Sequence, residues 1–314
     1  MLAEDVTSAG FSHEALLYSD DQDYLAGTVP FLREGVARGE DILVVVDARK
    51  IAMLRMALGA EATGVTFADM QDVGSNPARI IPAWQTFVDA AVQRGGGLRG
   101  IGEPIWAERT PAELIECQRH EALLNVAFAG TRGFRLLCPY DTSRLGEAVL
   151  AEAHCSHPVI VEQTRLRPSP SYNERLAAAR FDEPLPEPPG PVTELRFSRG
   201  ELGRVRSLTE RTASEAGLSA DRTHDVVLAV NEMAANSLHH GGGHGMLRIW
   251  VDGPVLICEI HDRGAINDPL VGRRVPDFQQ EGGRGVWLAH QLCDLVQIRT
   301  FTDSNVVRLH NTLS

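Results

Sequence analysis

The sequence predicts an α/β protein of two domains, and three observations support this prediction. Strand-like and helix-like segments alternate through residues 11–160, which favours a mostly parallel sheet with helices on both faces. Seven of the 17 prolines fall within residues 165–191, so this stretch is expected to be a semi-rigid linker. Residues 192–314 again combine amphipathic helices with short apolar strands, which indicates a second domain.

Composition narrows the class of protein. A chain of 314 residues with 43% hydrophobic and 23% charged residues is long and apolar enough for two globular cores. The net charge of −12 argues against a nucleic-acid partner, which usually requires a basic face. No apolar stretch reaches the roughly 18 residues of a membrane span, and the acidic first twenty residues do not resemble a signal peptide. We therefore expect a cytoplasmic protein that does not contact a membrane.

The five cysteines are scattered along the chain and form no CxxC pair. Such cysteines are typical of small buried thiols in a reducing compartment. The sequence predicts no zinc site.

The elements of the first domain follow from hydrophobic periodicity. Residues 41–48 form a continuous apolar run, as in a strand that is buried on both faces. The predicted strands cover 13–19, 41–48, 65–67, 98–102, 134–138 and 159–161. The predicted helices cover 21–38, 49–58, 78–94, 111–128 and 144–153.

Polar residues collect where predicted strands end, which is where parallel sheets bind ligands. Glu103 and Trp106 follow one strand, Tyr140 follows another, and a nearby helix adds Arg119 and His120. One interpretation is a crevice for a small sensed molecule that these five residues line. The other is that they are turn residues, helix caps and surface ion pairs.

The second domain is organised around a helix within Asp225–Gly243, for which Ser219 is the expected N-cap. Glu232 and Asn236 lie one turn apart on one face of this helix. A carboxylate there can accept a proton from an attacking hydroxyl group, and an amide oxygen can bind Mg²⁺. An ordinary amphipathic helix with a polar edge is the alternative interpretation.

Two later segments favour the functional interpretation. A predicted strand over 255–262 ends in the turn residues Asp262-Arg263-Gly264, and EGGRG at 281–285 directly precedes a helix. Glycines before a helix let backbone N–H groups approach a phosphate. The chain contains no GxxxxGK[ST] loop.

The other predicted elements complete this domain. A strand is expected over 193–198, a helix over 202–215, a strand over 246–253 and a strand-like tail over 296–313. The segment 265–281 is poor in apolar residues and contains Arg273 and Arg274. It is interpreted either as a lid over a nucleotide or as a solvated loop.

The order ExxxN, then DxG, then GGRG before a helix resembles the N, G1 and G2 boxes of the GHKL ATPase superfamily. The resemblance covers residues 192–314, and the compact domain is most similar to the anti-sigma factor serine kinases. It implies a two-layer α/β (Bergerat) sandwich that binds ATP and Mg²⁺. Glu232 would be the general base and Asn236 the Mg²⁺ ligand. Asp262 would accept a hydrogen bond from the adenine amino group.

The same resemblance assigns further residues to nucleotide binding. Gly264 would support Asp262, and four residues would form the phosphate site: Gly282, Gly283, Arg284 and Gly285. The G1 box departs from the usual DxGxG, because Ile266 stands in the place of its second glycine. This departure leaves the strength of ATP binding open.

Residues 1–164 resemble the MEDS sensory domain of prokaryotic regulators. The resemblance lies in HEALLYSDDQDYLAGTVPFLREGVARGEDILVVV, GEPIW, ECQRHEALLN and LLCPYD. It implies a RecA-like three-layer core without a P-loop, and a role in sensing rather than catalysis.

Together these features predict a bacterial regulator that phosphorylates Ser or Thr of an anti-sigma antagonist, binds a sigma factor, or does both. The expected partners are a sigma factor, an anti-anti-sigma protein and a small molecule at residues 1–164; homodimerisation is left open. One alternative is a binding switch without turnover. A second is a sensor histidine kinase, which is less consistent with the proline-rich linker at 165–191.

Overall fold

The computed structural model describes residues 10–162, 165–173, 175, 183–276 and 283–313. The chain divides into two compact units, Met1–Arg180 and Phe181–Ser314. Within the linker, the sequence SYNERLAAARF at 171–181 could form a short helix, but most of these residues lie outside the described ones. In the described parts of the chain, no helix has the length and apolar character that a membrane crossing requires.

The first unit alternates strands and helices. Its strands are β1 (Phe11–Tyr18), β2 (Asp41–Val46), β3 (Thr66–Asp69), β4 (Leu98–Gly102), β5 (Phe134–Asp141), β6 (Val159–Glu162) and β7 (Arg165–Pro168). Its helices are α1 (Asp21–Arg38), α2 (Ala48–Leu58), α3 (Met70–Gly74), α4 (Ile80–Val92), α5 (Pro111–Ala127) and α6 (Glu147–Ser156). Short 3₁₀ turns lie at Gly59–Gly64 and Pro77–Arg79.

The strands form one sheet in the order β3-β2-β4-β5-β1-β6-β7. All neighbouring strands are parallel except β6 and β7, which are antiparallel. The prediction of a mostly parallel sheet is therefore confirmed. Residues 165–168, which we assigned to the linker, instead form the edge strand β7.

Helices cover both faces of this sheet. On one face, Gly27 of α1 comes so close to the Leu16 side chain that an added Cβ would lie 2.6 Å from a Leu16 methyl carbon. On the other face, the Trp84 ring of α4 lies over Gly100, where a Cβ would lie 2.7 Å from the ring. The β4 glycine thus makes room for the indole, and the unit has three layers, as predicted.

The second unit contains three helices and five strands among the described residues. The helices are α7 (Leu202–Glu215), α8 (Ala220–His240) and α9 (Arg284–Leu292). The strands are β8 (Thr193–Ser198), β9 (His244–Asp252), β10 (Val255–Asp262), β11 (Leu295–Thr300) and β12 (Asn305–Thr312). The predicted strand-like tail is a pair of antiparallel strands, β11 and β12.

The five strands form an antiparallel sheet in the order β11-β12-β10-β9-β8. One face of the sheet packs against the helices in a single apolar core. Val226, Val230 and Met233 form the buried stripe of α8 in this core. Helices on one face of one sheet make a two-layer sandwich, as expected.

The opposite face of this sheet carries a buried ion network. The Glu259 carboxylate, 1% exposed, accepts hydrogen bonds from Arg248 at 2.9 Å and from Arg308 Nε at 2.6 Å. Arg308 also donates to the carbonyl oxygen of Pro186, and Arg248 pairs with Glu187. The end of the proline-rich segment is therefore attached to this sheet.

Candidate functional site

Helix α8 holds the first two candidate residues. Its N-terminus is capped by Ser219, whose hydroxyl accepts the Arg222 N–H at 3.3 Å, as predicted. Glu232 and Asn236 are both half-buried at the edge of the apolar stripe, one turn apart. The two side chains therefore face partly into the domain, as a site on this helix requires.

Helix α9 begins at the glycine-rich turn. Its N-cap, Gly283, has φ +81°, a left-handed conformation that favours glycine. The first hydrogen bond of the helix runs from Trp287 N–H to Gly283 O at 3.1 Å. Like any α-helix, α9 provides no acceptor of its own for its first amides, and these lie at the positive end of the helix dipole.

Gly285 brings these two helices together. A Cβ on this residue would lie 3.1 Å from Glu232 Oε2 and 3.3 Å from Asn236 Nδ2. The N-terminus of α9 therefore lies directly against the carboxylate and the carboxamide of α8. Gly282, also predicted to bind phosphate, lies outside the described residues, and Arg284 is exposed.

Asp262 lies at the end of β10 and is held in place by two donors. Ser237 Oγ donates to Oδ2 at 2.7 Å, and Gly264 N–H donates to Oδ1 at 2.7 Å. Gly264 has little room for a side chain, since a Cβ would lie 3.0 Å from the His240 carbonyl oxygen. Each carboxylate oxygen keeps a further lone pair for a ligand.

Ser237 is a residue that sequence reasoning missed. It is fully buried on α8, next to Asn236 in sequence, and it is the side chain that joins α8 to Asp262. The sequence did carry a signal for this residue. Ser237 places a hydroxyl within the apolar stripe of the predicted helix, and a buried polar group needs a hydrogen-bond partner.

A cavity of about 480 Å³ opens beside Asp262. Its walls come from the ends of β8, β9 and β10 and the start of α7. The lining residues are Arg196, Phe197, Ser198, Glu201, His244, Gly245, Met246, His261, Asp262 and Arg263. The volume lies in the range of small-molecule sites, about 300–1,000 Å³.

The described part of the predicted lid, residues 265–276, is partly anchored. Leu270 is 2% exposed, and Gly272, at φ +69°, packs against Val286 and His290 of α9. Arg273 is buried and Arg274 is exposed. The described residues of this segment therefore do not form a loop that is solvated throughout.

In the first unit, Glu103 lies in a buried polar cluster just beyond β4. Lys50 Nζ donates to its carboxylate oxygens at 2.6 and 2.7 Å, and the Tyr18 hydroxyl donates at 2.7 Å. Burial raises the pKa of the Glu103 carboxyl to about 7, although Lys50 acts to lower it. Tyr18 ends β1, so the strand-end argument that identified Glu103 could have found it. Lys50 lies inside α2, and only tertiary packing reveals it.

The other four residues predicted to line a sensory crevice lie in different surroundings. The Arg109 guanidinium lies over the Trp106 ring, with 3.7 Å between its central carbon and the ring centroid. Arg119 and His120 lie on α5, half-buried and buried respectively. Tyr140 is buried edge-on against the His157 ring, with 5.5 Å between ring centroids. The described contacts of Glu103, Trp106 and Tyr140 are with different neighbours, and the sensory crevice stays a prediction.

Two family models match the chain. Residues 12–158 match MEDS, the methanogen/methylotroph DcmR sensory domain, and residues 196–310 match the histidine kinase-like ATPase domain. A solved structure of the RsbU and RsbW domains of Rv1364c from Mycobacterium tuberculosis is 17% identical, with a TM-score of 0.31. The similarity covers 40% of this chain and 33% of that chain. No curated protein matches the chain. The chain therefore consists of a MEDS sensory domain followed by a histidine kinase-like ATPase domain.

Proposed function

We propose that the ATPase domain binds Mg-ATP and transfers the γ-phosphoryl group to Ser or Thr of an anti-sigma antagonist in the cytoplasm. Through this reaction, or through direct binding, it would control a sigma factor. The MEDS domain would regulate it in response to a small molecule. The close approach of Gly285 to Glu232 and Asn236 is the observation that carries this proposal.

The residues present fit a magnesium nucleotide. The amides and the positive dipole end at the start of α9 suit the anionic phosphates, and Gly285 brings this helix end directly against Asn236. The Asn236 amide oxygen suits Mg²⁺, which usually takes one or two protein ligands and keeps water and phosphate oxygens. Asp262, oriented by Ser237 and Gly264, suits the amino group of adenine.

Glu232 would act as the general base. It would accept the proton of the substrate hydroxyl as the oxygen attacks phosphorus, and its half-buried position would partly shield it from bulk water. The amides and the dipole of α9 would stabilise negative charge on the transferring group. Bound Mg²⁺ would neutralise phosphate charge.

A binding switch without turnover is the second candidate. Ile266 replaces the second glycine of the G1 box, and its side chain packs against the apolar core of the domain. A bulky side chain where the superfamily has glycine favours altered nucleotide contacts. Under this alternative, nucleotide or the sensed molecule would set affinity for the sigma factor or its antagonist.

Calorimetric titration of the full chain with ATP and ADP, with and without Mg²⁺, tests nucleotide binding. Asn236→Ala should lose Mg²⁺-dependent affinity by about tenfold or more, equivalent to about 1.4 kcal/mol. Asn231→Ala is the matched control, because Asn231 lies on the same helix but accepts a hydrogen bond from Arg206 at 2.9 Å. Absence of ATP binding by the wild-type chain would refute the nucleotide site.

Transfer from γ-labelled ATP to the anti-sigma antagonists of the source organism then separates kinase from switch. Glu232→Gln should retain nucleotide binding and lose transfer, because the amide cannot accept the proton. Full transfer by this variant would exclude Glu232 as the base. Nucleotide binding without transfer by the wild-type protein would favour the switch.

A further inference from the structure

Four ligand-type side chains from different elements meet in the interior of the MEDS domain. They are His13 of β1, Glu121 of α5, Cys138 of β5 and His157, which follows α6. One ligand atom from each lies within 4.8 Å of all the others. All four residues are at most 1% exposed, so bulk water does not solvate the cluster.

The fold explains how such distant residues meet. β1 pairs in parallel with β5, and Ala15 lies opposite Cys138. His13 precedes Ala15 by two positions, so His13 and Cys138 lie on the same face of the sheet. Helix α5 covers this face and contributes Glu121, whose Oε2 lies 3.1 Å from His13 Nε2 and 3.3 Å from His157 Nε2.

Hydrogen bonds define which nitrogen of His13 carries the proton. The Asn125 amide nitrogen donates to the Ser156 carbonyl at 2.7 Å, so Asn125 Oδ1 faces His13 Nδ1 at 3.2 Å. An amide oxygen only accepts, so Nδ1 must be the protonated nitrogen. In the neutral ring, His13 Nε2 therefore directs a lone pair at Glu121 and Cys138.

The same reasoning applies to His157. Its Nδ1 lies 2.9 Å from the Ala153 carbonyl oxygen, which also only accepts. Its Nε2 then presents a lone pair to the Glu121 carboxylate. Both imidazoles are thus oriented as metal ligands usually are, with the outer nitrogen donating to an oxygen.

This arrangement lacks a positive charge at its centre. Two imidazole lone pairs approach the same carboxylate oxygen, at 3.1 and 3.3 Å. Among the described residues, His157 Nε2 and Glu121 Oε1 have no hydrogen-bond partner. Buried polar atoms rarely remain unpaired, so a cation between them would account for the geometry.

We infer that His13, Glu121, Cys138 and His157 bind a divalent transition-metal ion, with Zn²⁺ the best match. Imidazole and thiolate are ligands that zinc prefers over magnesium or calcium. Ligand atoms at about 2.0–2.3 Å from a tetrahedral zinc lie roughly 3.3–3.8 Å from one another. The observed separations of 3.1, 3.3 and 3.4 Å (Cys138 Sγ to His13 Nε2) are close to this range.

Four protein ligands would make this a closed site, of the kind that stabilises a fold. Binding would form a Zn–S bond as the Cys138 S–H bond breaks, and the proton would leave to solvent. Tyr140, which touches His157 edge-on, links the site to the residues predicted for sensing. We predicted no zinc site from sequence, because His13 and Cys138 are 125 positions apart and no short motif joins them.

The test uses the full chain, stripped with a chelator, dialysed against Zn²⁺ and analysed for metal. We expect one zinc per chain and a higher unfolding temperature of the MEDS domain than in the stripped protein. Replacement with Co²⁺ should give the absorption of a tetrahedral ion together with a thiolate-to-cobalt charge-transfer band. Absence of bound metal, or bound cobalt without the thiolate band, would overturn the inference.

Variants identify the sulfur ligand. Cys138→Ser should abolish the thiolate band and weaken Zn²⁺ binding by about 100-fold or more. Cys117→Ser is the matched control, because Cys117 is also fully buried but its thiol lies 3.4 Å from the Pro104 carbonyl oxygen. A thiolate band that is lost in Cys117→Ser and kept in Cys138→Ser would overturn the assignment. If Cys138→Ser does not fold, folded Cys117→Ser still tests the assignment: loss of the band in this variant would overturn it, and retention would exclude Cys117 as the ligand.

Discussion

Alanine at position 285 tests the phosphate site, because Gly285 is where α9 meets α8. A Cβ there would lie 3.1 Å from Glu232 Oε2 and 3.3 Å from Asn236 Nδ2. Non-bonded heavy atoms are most favourably placed at about 3.5–4.0 Å. Both side chains would therefore have to shift by a few tenths of an ångström, and the methyl group would occupy space proposed for phosphate.

Two effects of Gly285→Ala oppose each other in the stability of the domain. Alanine is favoured over glycine within a helix by about 0.5–1 kcal/mol. The crowding of two half-buried side chains offsets this gain, so the free energy of unfolding should change by less than about 1 kcal/mol. Affinity for Mg-ATP should fall about tenfold or more, equivalent to about 1.4 kcal/mol.

The assay is calorimetry of Mg-ATP binding beside thermal unfolding, with Gly203→Ala as the matched control. Gly203 is the second residue of α7, as Gly285 is of α9, but a Cβ there meets only Arg206 Nη2 at 4.0 Å. The control should keep wild-type affinity. Equal affinity in wild type and Gly285→Ala would refute the proposed phosphate site between α8 and α9.

Three further changes test other parts of the molecule. In the folded protein the pKa of the Glu103 carboxyl is raised from its usual 4.5 to about 7. Its contribution to stability is therefore present below pH 4.5 and is lost, with a fall in melting temperature, as the pH rises through 7. Glu103→Gln should flatten this fall in melting temperature. Ser237→Ala removes a donor from Asp262 and should lower the free energy of unfolding by about 1 kcal/mol in chemical denaturation. Gly100→Ala would place a Cβ 2.7 Å from the Trp84 ring, so denaturation should reveal a loss of about 1–3 kcal/mol.

Each of these changes has a control or a contradicting result. Parallel stability curves for Glu103→Gln and wild type between pH 4.5 and 7 would show that this carboxyl does not hold the extra proton. Unchanged stability of Ser237→Ala would mean that its hydroxyl does not hold Asp262 in place. Gly130→Ala serves as the control for Gly100, because a Cβ at Gly130 meets no atom within 4 Å and should leave stability unchanged.

Periodicity predicted the elements well where they are locally encoded. The predicted ranges 21–38 and 98–102 coincide with α1 and β4. The helix predicted over 144–153 instead begins at Glu147, because the Asp141 side chain accepts the Ser143 N–H and holds the chain in a turn. Element ends thus shift where a side-chain hydrogen bond competes with the helix.

Within the ATPase domain, the spacing of Glu232 and Asn236 predicted a shared helix face, because one helical turn relates them. No spacing predicts that the start of α9 packs against that face, or that Ser237 reaches Asp262. Those contacts depend on how α8, α9 and β10 pack around one core.

The sequence by itself determined the two α/β domains and their order, because hydrophobic period, turn residues and glycine positions act over a few neighbouring residues. The tertiary structure alone decided which distant polar side chains meet. Strand pairing and helix packing unite His13, Glu121, Cys138 and His157, and they place Lys50 on Glu103. Such contacts join residues far apart in the chain, and no local propensity encodes them.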